Sequence, residues 1–290
     1  MAHSLQGKTA IITGASQGLG REIARHYAGE GASLTLVARD AAALQQLATD
    51  IGSNAGKQTI CCISADITDP TSISQIVAQT IEQQGGLHIL VNNAGIWGPK
   101  GPTEDVDWDE WIYTMNVNVL APVAMCRAVL PHMKKQRYGK IIQLSGGGAT
   151  KPMPRTSAYA ASKAAVVRFA ETLAEEVKEF GIDINAIAPG AMNTKMLDEM
   201  LAAGPEKLGE TTYASLLKQL ANGGDSPENA AALAAFLASP ASDGLTGKLI
   251  SAVWDNWRDF PAHIAELQRS DVYTLRRIAG RDRGITWCDK

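Results

Sequence analysis

The sequence is poor in the residues that build metal sites and disulfide frameworks. It holds 4 cysteines and 5 histidines among 290 residues. Cys61 and Cys62 are adjacent, whereas Cys126 and Cys288 stand apart, and this placement fits neither a disulfide framework nor a zinc site. The histidines are scattered without metal-ligand spacing. We therefore predict no metal site, and we interpret the cysteines as buried or bystander thiols.

The chain also lacks long apolar runs and a large excess of charge of either sign. Nowhere does it approach the roughly 18 uninterrupted apolar residues of a membrane span, and its first residues contain no signal-peptide pattern. The formal net charge is −3, which gives no general electrostatic reason to bind nucleic acid or an anionic membrane. The sequence predicts neither of these partners and predicts a cytoplasmic protein.

Short β-branched runs alternate with helical patterns along most of the chain. Strands are expected at 9–13, 33–38, 58–63, 87–91, 141–144, 183–188 and 248–252. This alternation predicts an α/β fold, a doubly wound parallel sheet of Rossmann type in a single domain. We expect a catalytic domain over 1–253 and a C-terminal extension over 254–290, packed on the domain or on a neighbouring subunit.

The first expected strand ends in a glycine turn, Gly14-Ala-Ser-Gln-Gly18-Leu-Gly20, and a helical pattern follows. This is the context of a phosphate-binding loop, because glycines let the backbone approach a pyrophosphate and a helix N-terminus offers free N–H groups. The spacing departs from the usual dinucleotide fingerprint, so a plain strand-to-helix turn is the alternative.

The end of the second expected strand bears on the choice of nucleotide. An acid there would bind the ribose 2′-hydroxyl of NAD, whereas an arginine accommodates the 2′-phosphate of NADP. Arg39 stands at this place, and Asp40 is more simply interpreted as the cap of the next helix. NADP is therefore favoured over NAD. Asp66, after the third strand, either touches the adenine or fixes its own loop.

The stretch from Ser145 to Lys163 is expected to carry the chemistry. If residues 158–180 form a helix, Tyr159 and Lys163 lie on one face, four positions apart. A cation near a phenol favours the phenolate, so we expect Lys163 to lower the pKa of Tyr159 from its ordinary value near ~10. Ordinary helix surface is the alternative interpretation of such a pair.

Several further segments are expected near the same site. The small residues of Asn92-Asn93-Ala94-Gly95 leave room for a flat ligand at a strand end. Residues 107–135 are expected to form a helix interrupted near 117–122. Trp97, Met153 and a looser segment over 192–224, a candidate substrate lid, are expected to line a substrate pocket.

Taken in order, these motifs resemble the short-chain dehydrogenase/reductase family over about residues 5–252. The resemblance implies a tyrosine acid/base, a lysine that holds the nicotinamide ribose, an asparagine that anchors a proton-relay water, a serine that orients the substrate oxygen, and a homodimer or homotetramer. The catalytic residues it implies are Asn118, Ser145, Tyr159 and Lys163. With the residues discussed above, the expected cofactor-binding set is Gly14, Ser16, Gly18, Leu19, Gly20, Arg39, Asp66, Ile67, Asn93, Ala94, Gly95, Tyr159, Lys163, Pro189, Gly190 and Thr194.

One position departs from the family pattern. The family serine usually lies 13 residues before the tyrosine, where this chain has Gly146. Either the glycine run that begins there lets Ser145 reach the site, or another donor such as Thr150 serves. We favour Ser145.

The function predicted from the sequence is an NADP-preferring oxidoreductase that moves hydride between the nicotinamide and a carbonyl or alcohol carbon of a small organic substrate. Tyr159 is the expected general acid/base. Two alternatives remain open at this point: dehydratase or epimerase chemistry on a sugar derivative, and a non-catalytic protein that senses NAD(P).

Overall fold

A computed structural model of the chain describes residues 4–52 and 58–287; His3 and Cys288 lie outside these ranges. The strands are β1 (Thr9–Thr13), β2 (Ser33–Ala38), β3 (Ile60–Ser64), β4 (Ile89–Asn92), β5 (Gly139–Leu144), β6 (Ile182–Ala188) and β7 (Leu249–Ser251). The helices are α1 (Gly18–Gly29), α2 (Ala41–Gly52), α3 (Pro70–Gln84), α4 (Trp108–Met115), α5 (Ala121–Gln136), α6 (Ser157–Val177), α7 (Lys195–Leu208), α8 (Glu210–Ala221), α9 (Pro227–Ala238) and α10 (Ile264–Gln268).

All seven strands pair in parallel in one sheet, in the order β3-β2-β1-β4-β5-β6-β7. The predicted doubly wound fold is confirmed. The chain reverses its direction across the sheet between β1 and β4, and ligands of such sheets bind in the crevice at this point, beyond the carboxyl ends of the strands. The glycine turn follows β1 and the NNAG segment begins at the end of β4, so the topology brings these two segments together.

Helices cover both faces of the sheet, because successive strand residues point to opposite sides. Ile12 of β1 belongs to a core shared with α1, α2 and α9, whereas its neighbour Ile11 packs with α3, α5 and α6. Both side chains are fully buried. Burial on both faces explains why β1 is a continuous apolar run without polar alternation.

A π-helical turn, Asn116–Leu120, joins α4 to α5 and overlaps the interruption predicted near 117–122. The continuous helical stretch Trp108–Gln136 has a mean hydropathy of 1.2 over an 18-residue window, enough by length and composition to cross a membrane. In this fold 44% of that window is buried, with Met125 and Val129 packed in the core. A core helix of a globular domain meets the same compositional test.

Residues 192–224 differ from the loose segment expected from the sequence. They form α7 and α8, and Leu197, Met200 and Leu208 of α7 are buried. Gly204, with φ of 76°, breaks α7 near its end. The glycines of this segment, Gly204, Gly209, Gly223 and Gly224, lie at the break in α7 and outside the two helices, so they do not prevent helix formation.

The chain beyond β7 packs on the domain through its first half. Trp257, Phe260 and Leu267 are buried in the core beside α1 and α9. The backbone N–H of Leu249 in β7 donates to the carbonyl of Tyr273 at 2.8 Å, so the extension covers an open edge of the sheet. In contrast, Trp254 and Trp287 are about 85% exposed.

Candidate active site

The glycine turn is held in shape by contacts that leave no room for side chains. Gly14 has φ of 65°, and a Cβ there would lie 2.9 Å from Ala94 Cα. A Cβ at Gly20 would lie 2.3 Å from the Gly14 carbonyl oxygen. Asn93 Nδ2 donates to the carbonyls of Thr13 and Gly14, at 2.9 and 3.2 Å. The turn and the NNAG segment therefore form one unit, and the Asn93 amide serves to fix it.

The start of α1 is free to bind an anion. Gln17, the residue before the helix, has an extended backbone and provides no side-chain cap, and the first turn carries no acidic residue. First-turn N–H groups without a side-chain acceptor are the usual binding site of a nucleotide pyrophosphate. Arg21 Nη2 donates to the Ser16 carbonyl at 2.8 Å, while the Leu19 side chain is buried in the core. Contacts within the chain thus engage the Ser16 carbonyl and the Leu19 side chain, and the roles of both residues toward a cofactor stay predictions.

Arg39 is exposed just after the end of β2, and its role toward the 2′-phosphate of NADP stays a prediction. Asp40 Oδ1 accepts a hydrogen bond from the Ala43 N–H at 2.9 Å, which agrees with its interpretation as a helix cap. Asp66 Oδ1 accepts from the Thr68 N–H at 2.8 Å and the Thr68 hydroxyl at 2.7 Å. These hydrogen bonds hold the pKa of Asp66 below its ordinary value. Of the two roles considered for Asp66, fixing its loop is the one its contacts display.

Other members of the expected cofactor set lie around this crevice. Ile67 is mostly buried in the core beside α3. Thr194, just before α7, lies over the glycine turn, with its Cγ2 3.8 Å from the position of a Cβ on Gly18. Gly190 has φ of 97°, and a Cβ there would lie 2.6 Å from Asp225 Oδ2. Asp225 Oδ2 also accepts from the Ala191 N–H at 2.6 Å, which fixes the turn after β6.

Tyr159 and Lys163 lie on α6 and are both buried, with 7% and 6% exposed. Lys163 Nζ donates to the Leu144 carbonyl at 2.7 Å and lies 5.6 Å from the Tyr159 ring centroid. Burial raises the pKa of Tyr159 to about 12 and lowers the pKa of Lys163 to about 8. The sequence predicted a lowered pKa for Tyr159, whereas the surrounding fold raises it. Desolvation outweighs a cation whose nearest hydrogen-bond partner is a backbone carbonyl.

Asn118 lies in the π-helical turn and connects the loop after β4 to α6. Its Oδ1 accepts from the Ile96 N–H, and its Nδ2 donates to the Ile96 carbonyl and to Ser162 Oγ, each at 2.9 Å. Ser162 Oγ donates in turn to the Tyr159 carbonyl at 2.7 Å. π-Turns within helices often occur at functional sites. Here the turn places the buried Asn118 amide between the Ile96 backbone and Ser162, which in turn binds the Tyr159 carbonyl.

Gly146 lies against the phenol of Tyr159. A Cβ on Gly146 would lie 2.4 Å from Tyr159 Oη. Ser145 is 3% exposed, and its Oγ has no hydrogen-bond partner within the described ranges. Thr150 is exposed after a short 3₁₀ turn, Gly147–Ala149. The glycine at the family's serine position therefore lies against the Tyr159 phenol. The roles of Ser145 and Thr150 stay predictions.

Trp97 covers the ring of Tyr159. The two ring centroids are 4.0 Å apart with an interplanar angle of 37°. Met153 lies beside the glycine loop, with its sulfur 3.4 Å from the position of a Cβ on Gly148. From the sequence, Trp97 and Met153 are expected only to line a substrate pocket. No sequence signal indicated the contact between Trp97 and Tyr159, since these residues are 62 positions apart.

The described residues contain no group of three or more histidine, cysteine or acidic side chains that could hold a metal ion. Cys61, Cys62 and Cys126 are free thiols. Burial raises the pKa of Cys126 to about 12, so this thiol is protonated and unreactive at neutral pH.

Comparison with known proteins agrees with this arrangement. The sequence profile described as short chain dehydrogenase matches residues 8–203. Oxidoreductase UcpA of Salmonella typhimurium is 38% identical over 249 residues, covering 84% of this chain and 92% of UcpA. The chain belongs to the short-chain dehydrogenase/reductase family, and it is an NAD(P)-dependent oxidoreductase.

Two solved structures are similar along most of their length. Levodione reductase superposes with a TM-score of 0.79 at 28% identity, covering 88% of this chain and 98% of that one. A 3-ketoacyl-(acyl-carrier-protein) reductase from Brucella melitensis, complexed with NADH, has a TM-score of 0.74 at 31% identity, covering 86% of this chain and 97% of that one.

Proposed function

We propose that the protein is an NADP-preferring oxidoreductase that moves hydride between nicotinamide and the carbonyl or alcohol carbon of a small organic substrate. The observation that carries this proposal is the convergence of Tyr159, Lys163 and Gly146 beyond the carboxyl ends of β4 and β5, beside the glycine turn. The glycine cradle and the uncapped start of α1 fit a dinucleotide. Bound there, NAD(P) would supply or accept the hydride.

The protein's own part in the reaction is to position the substrate oxygen and to move a proton. In reduction, Tyr159 Oη donates its proton to the oxygen that becomes the alcohol, and in oxidation the phenolate takes the proton back. Lys163, held by the Leu144 carbonyl, places a positive charge next to this proton transfer. Trp97 and the buried position of the phenol exclude water from it.

The alternatives considered from the sequence gain no support from the relatives, whose names are oxidoreductase, dehydrogenase and reductase. The most direct test of the proposal is to follow NADPH oxidation by absorbance across a panel of ketones, ketoacids and oxidised sugars, with NADH in parallel. Failure to oxidise either nucleotide with any carbonyl compound would count against the proposal.

Arg39 supports the preference for NADP. We expect Arg39→Ala to weaken NADPH binding by about tenfold or more, since a charge-assisted hydrogen bond to a phosphate is lost, and to leave NADH binding almost unchanged. Titration of both nucleotides by fluorescence measures the two affinities. Arg25→Ala is the matched control, because Arg25 is an exposed arginine on α1 paired with Glu22 and Asp50. Equal NADPH affinities in wild type and Arg39→Ala would remove the basis for NADP.

Ser145 is proposed as the donor that orients the substrate oxygen. If its Oγ fills this role, Ser145→Ala should lower kcat/KM by about 10²-fold, the effect of deleting one such donor. Thr150→Ala is the comparison, because Thr150 is the other donor considered. If Ser145→Ala keeps the wild-type kcat/KM and Thr150→Ala lowers it, the donor to the substrate oxygen is Thr150 and not Ser145.

We also propose that the protein forms a homodimer or homotetramer. Large apolar side chains are exposed along α4 and the π-turn: Trp108 is 64% exposed, Leu120 58% and Ile112 41%. An exposed apolar strip of this kind is typical of a subunit contact. Light scattering coupled to size exclusion measures the assembly. A monomer at micromolar concentration would contradict this part of the proposal.

A further inference from the structure

Trp97 stands between the acid/base and the helix of the predicted lid. Its ring covers Tyr159 at a centroid distance of 4.0 Å. Its indole Nε1 donates to the carbonyl of Met196, in the first turn of α7, at 2.9 Å. One side chain therefore contacts both the residue expected to move the proton and the segment expected to close over the substrate.

The backbone on both sides of Trp97 is fixed. Ile96 forms two backbone hydrogen bonds with the Asn118 amide, each at 2.9 Å. Gly98 has φ of 69°, and a Cβ there would lie 1.9 Å from Thr114 Oγ1, so the loop is pressed against α4. With its neighbours held, Trp97 has little freedom except rotation of its own side chain. Its ring position then depends on Tyr159 on one side and Met196 on the other.

The C-terminal end of α7 is bound by the loop that contains Arg155, which precedes α6 and Tyr159. Arg155 Nη1 donates to the Glu206 carbonyl at 2.9 Å, near the end of α7. Arg155 has φ of 65°, an uncommon backbone conformation for a residue other than glycine. Its carbonyl accepts from the Gly101 N–H at 2.9 Å, which joins the Arg155 loop to the Trp97 loop. Both ends of α7 are thus tied to loops that border Tyr159.

We propose that Trp97 is a positioning residue that couples α7 to Tyr159. A substrate that fixes the position of α7 on binding would then also fix the position of the Tyr159 phenol through the indole ring. This inference rests on the proposed role of Tyr159 as acid/base. The indole has two separable functions: its ring face packs on the phenol, and its N–H holds α7. The coupling needs both functions, because a ring without the N–H has no hydrogen bond to α7 and no longer follows its position.

Hydrogen exchange tests the N–H contact without any substrate. In Trp97→Phe the ring contact with Tyr159 is kept and the hydrogen bond to Met196 is lost. We expect amide exchange in residues 196–203 to become about three- to tenfold faster, the effect of one lost hydrogen bond. Trp111→Phe is the matched control, since Trp111 Nε1 donates to Ser157 Oγ at 3.2 Å, away from α7. Wild-type exchange of α7 in Trp97→Phe, or equal acceleration in Trp111→Phe, would overturn the coupling.

Kinetics with a carbonyl substrate from the panel separate the two functions of the indole. Trp97→Phe should raise KM about three- to tenfold and leave kcat within about twofold, because the phenol is still covered. Trp97→Ala should raise KM in the same way and also lower kcat by more than about tenfold. Phenylalanine at position 97 should therefore restore kcat, compared with alanine, but not KM. Identical kinetics of the two variants would contradict the inference while leaving the proposed function intact. Loss of the proposed function would instead appear as no turnover by wild type, and the exchange experiment would still decide the inference.

Discussion

Tyr159→Phe is expected to lower kcat/KM by about 10² to 10⁴-fold and to leave NADPH affinity unchanged. The substitution removes the only group proposed to exchange a proton with the substrate oxygen, and general acid/base catalysis contributes about this much to rate. The ring and its contact with Trp97 are retained. Steady-state kinetics and NADPH titration on the same preparation measure the two effects.

The fold of Tyr159→Phe should be as stable as that of wild type. Tyr159 Oη forms no hydrogen bond with another residue in ranges 4–52 and 58–287, so its removal orphans no described partner. An unchanged Tm would show that the loss of turnover is chemical. Tyr113→Phe, at a tyrosine 40% exposed on α4, is the matched control and should keep full activity. Turnover near that of wild type in Tyr159→Phe would exclude Tyr159 as the acid/base.

Because the pKa of Tyr159 is raised, we expect the rates of reduction and of oxidation to depend differently on pH. With a pKa of about 12 in the chain alone, the phenol is protonated throughout the neutral range and can donate in carbonyl reduction. Alcohol oxidation needs the phenolate, so its rate should rise as pH increases towards that pKa, whereas reduction should not require high pH. Rates measured in both directions from pH 6 to 10 test the difference.

Gly146→Ala is the second large effect that we expect, a loss of kcat/KM of about 10²-fold. The new Cβ would lie 2.4 Å from Tyr159 Oη, closer than such atoms approach one another, and 3.2 Å from its Cζ, a tight contact. The phenol must therefore move, and a displacement of about 1 Å at a reacting group costs about this factor. The effect should fall on kcat more than on NADPH affinity, because the glycine turn after β1 is untouched.

Gly147→Ala is the control for this prediction. Gly147 is the next residue of the same glycine run, and a Cβ there would meet only the Met153 sulfur, at 4.0 Å. It should leave kcat/KM within about threefold of wild type. Equal losses in both variants would indicate that the run needs glycine for its backbone. Equal activity of both variants and wild type would show that Tyr159 Oη does not lie against Gly146 during turnover.

The fold and most of the cofactor crevice could be predicted from local sequence. β1 is an uninterrupted apolar run because both its faces are buried, and such a run followed by a glycine turn and a helical pattern indicates a parallel sheet with a binding crevice. Tyr159 and Lys163 could be paired because their spacing on α6 is itself local. The segment over 192–224 is helical and not loose as expected from its sequence, and the fold buries Leu197, Met200 and Leu208 of α7.

The sequence by itself determined the parallel sheet, the glycine turn and the residues that can carry acid/base chemistry, because strand and helix periodicity and turn chemistry are properties of neighbouring residues. Only the tertiary structure decided that Gly146 touches the phenol, that Lys163 binds the Leu144 carbonyl, and that Trp97 joins Tyr159 to α7. These contacts depend on packing between segments far apart in the chain. Packing also decided the pKa of Tyr159, since desolvation by the surrounding fold prevails over the charge one helical turn away.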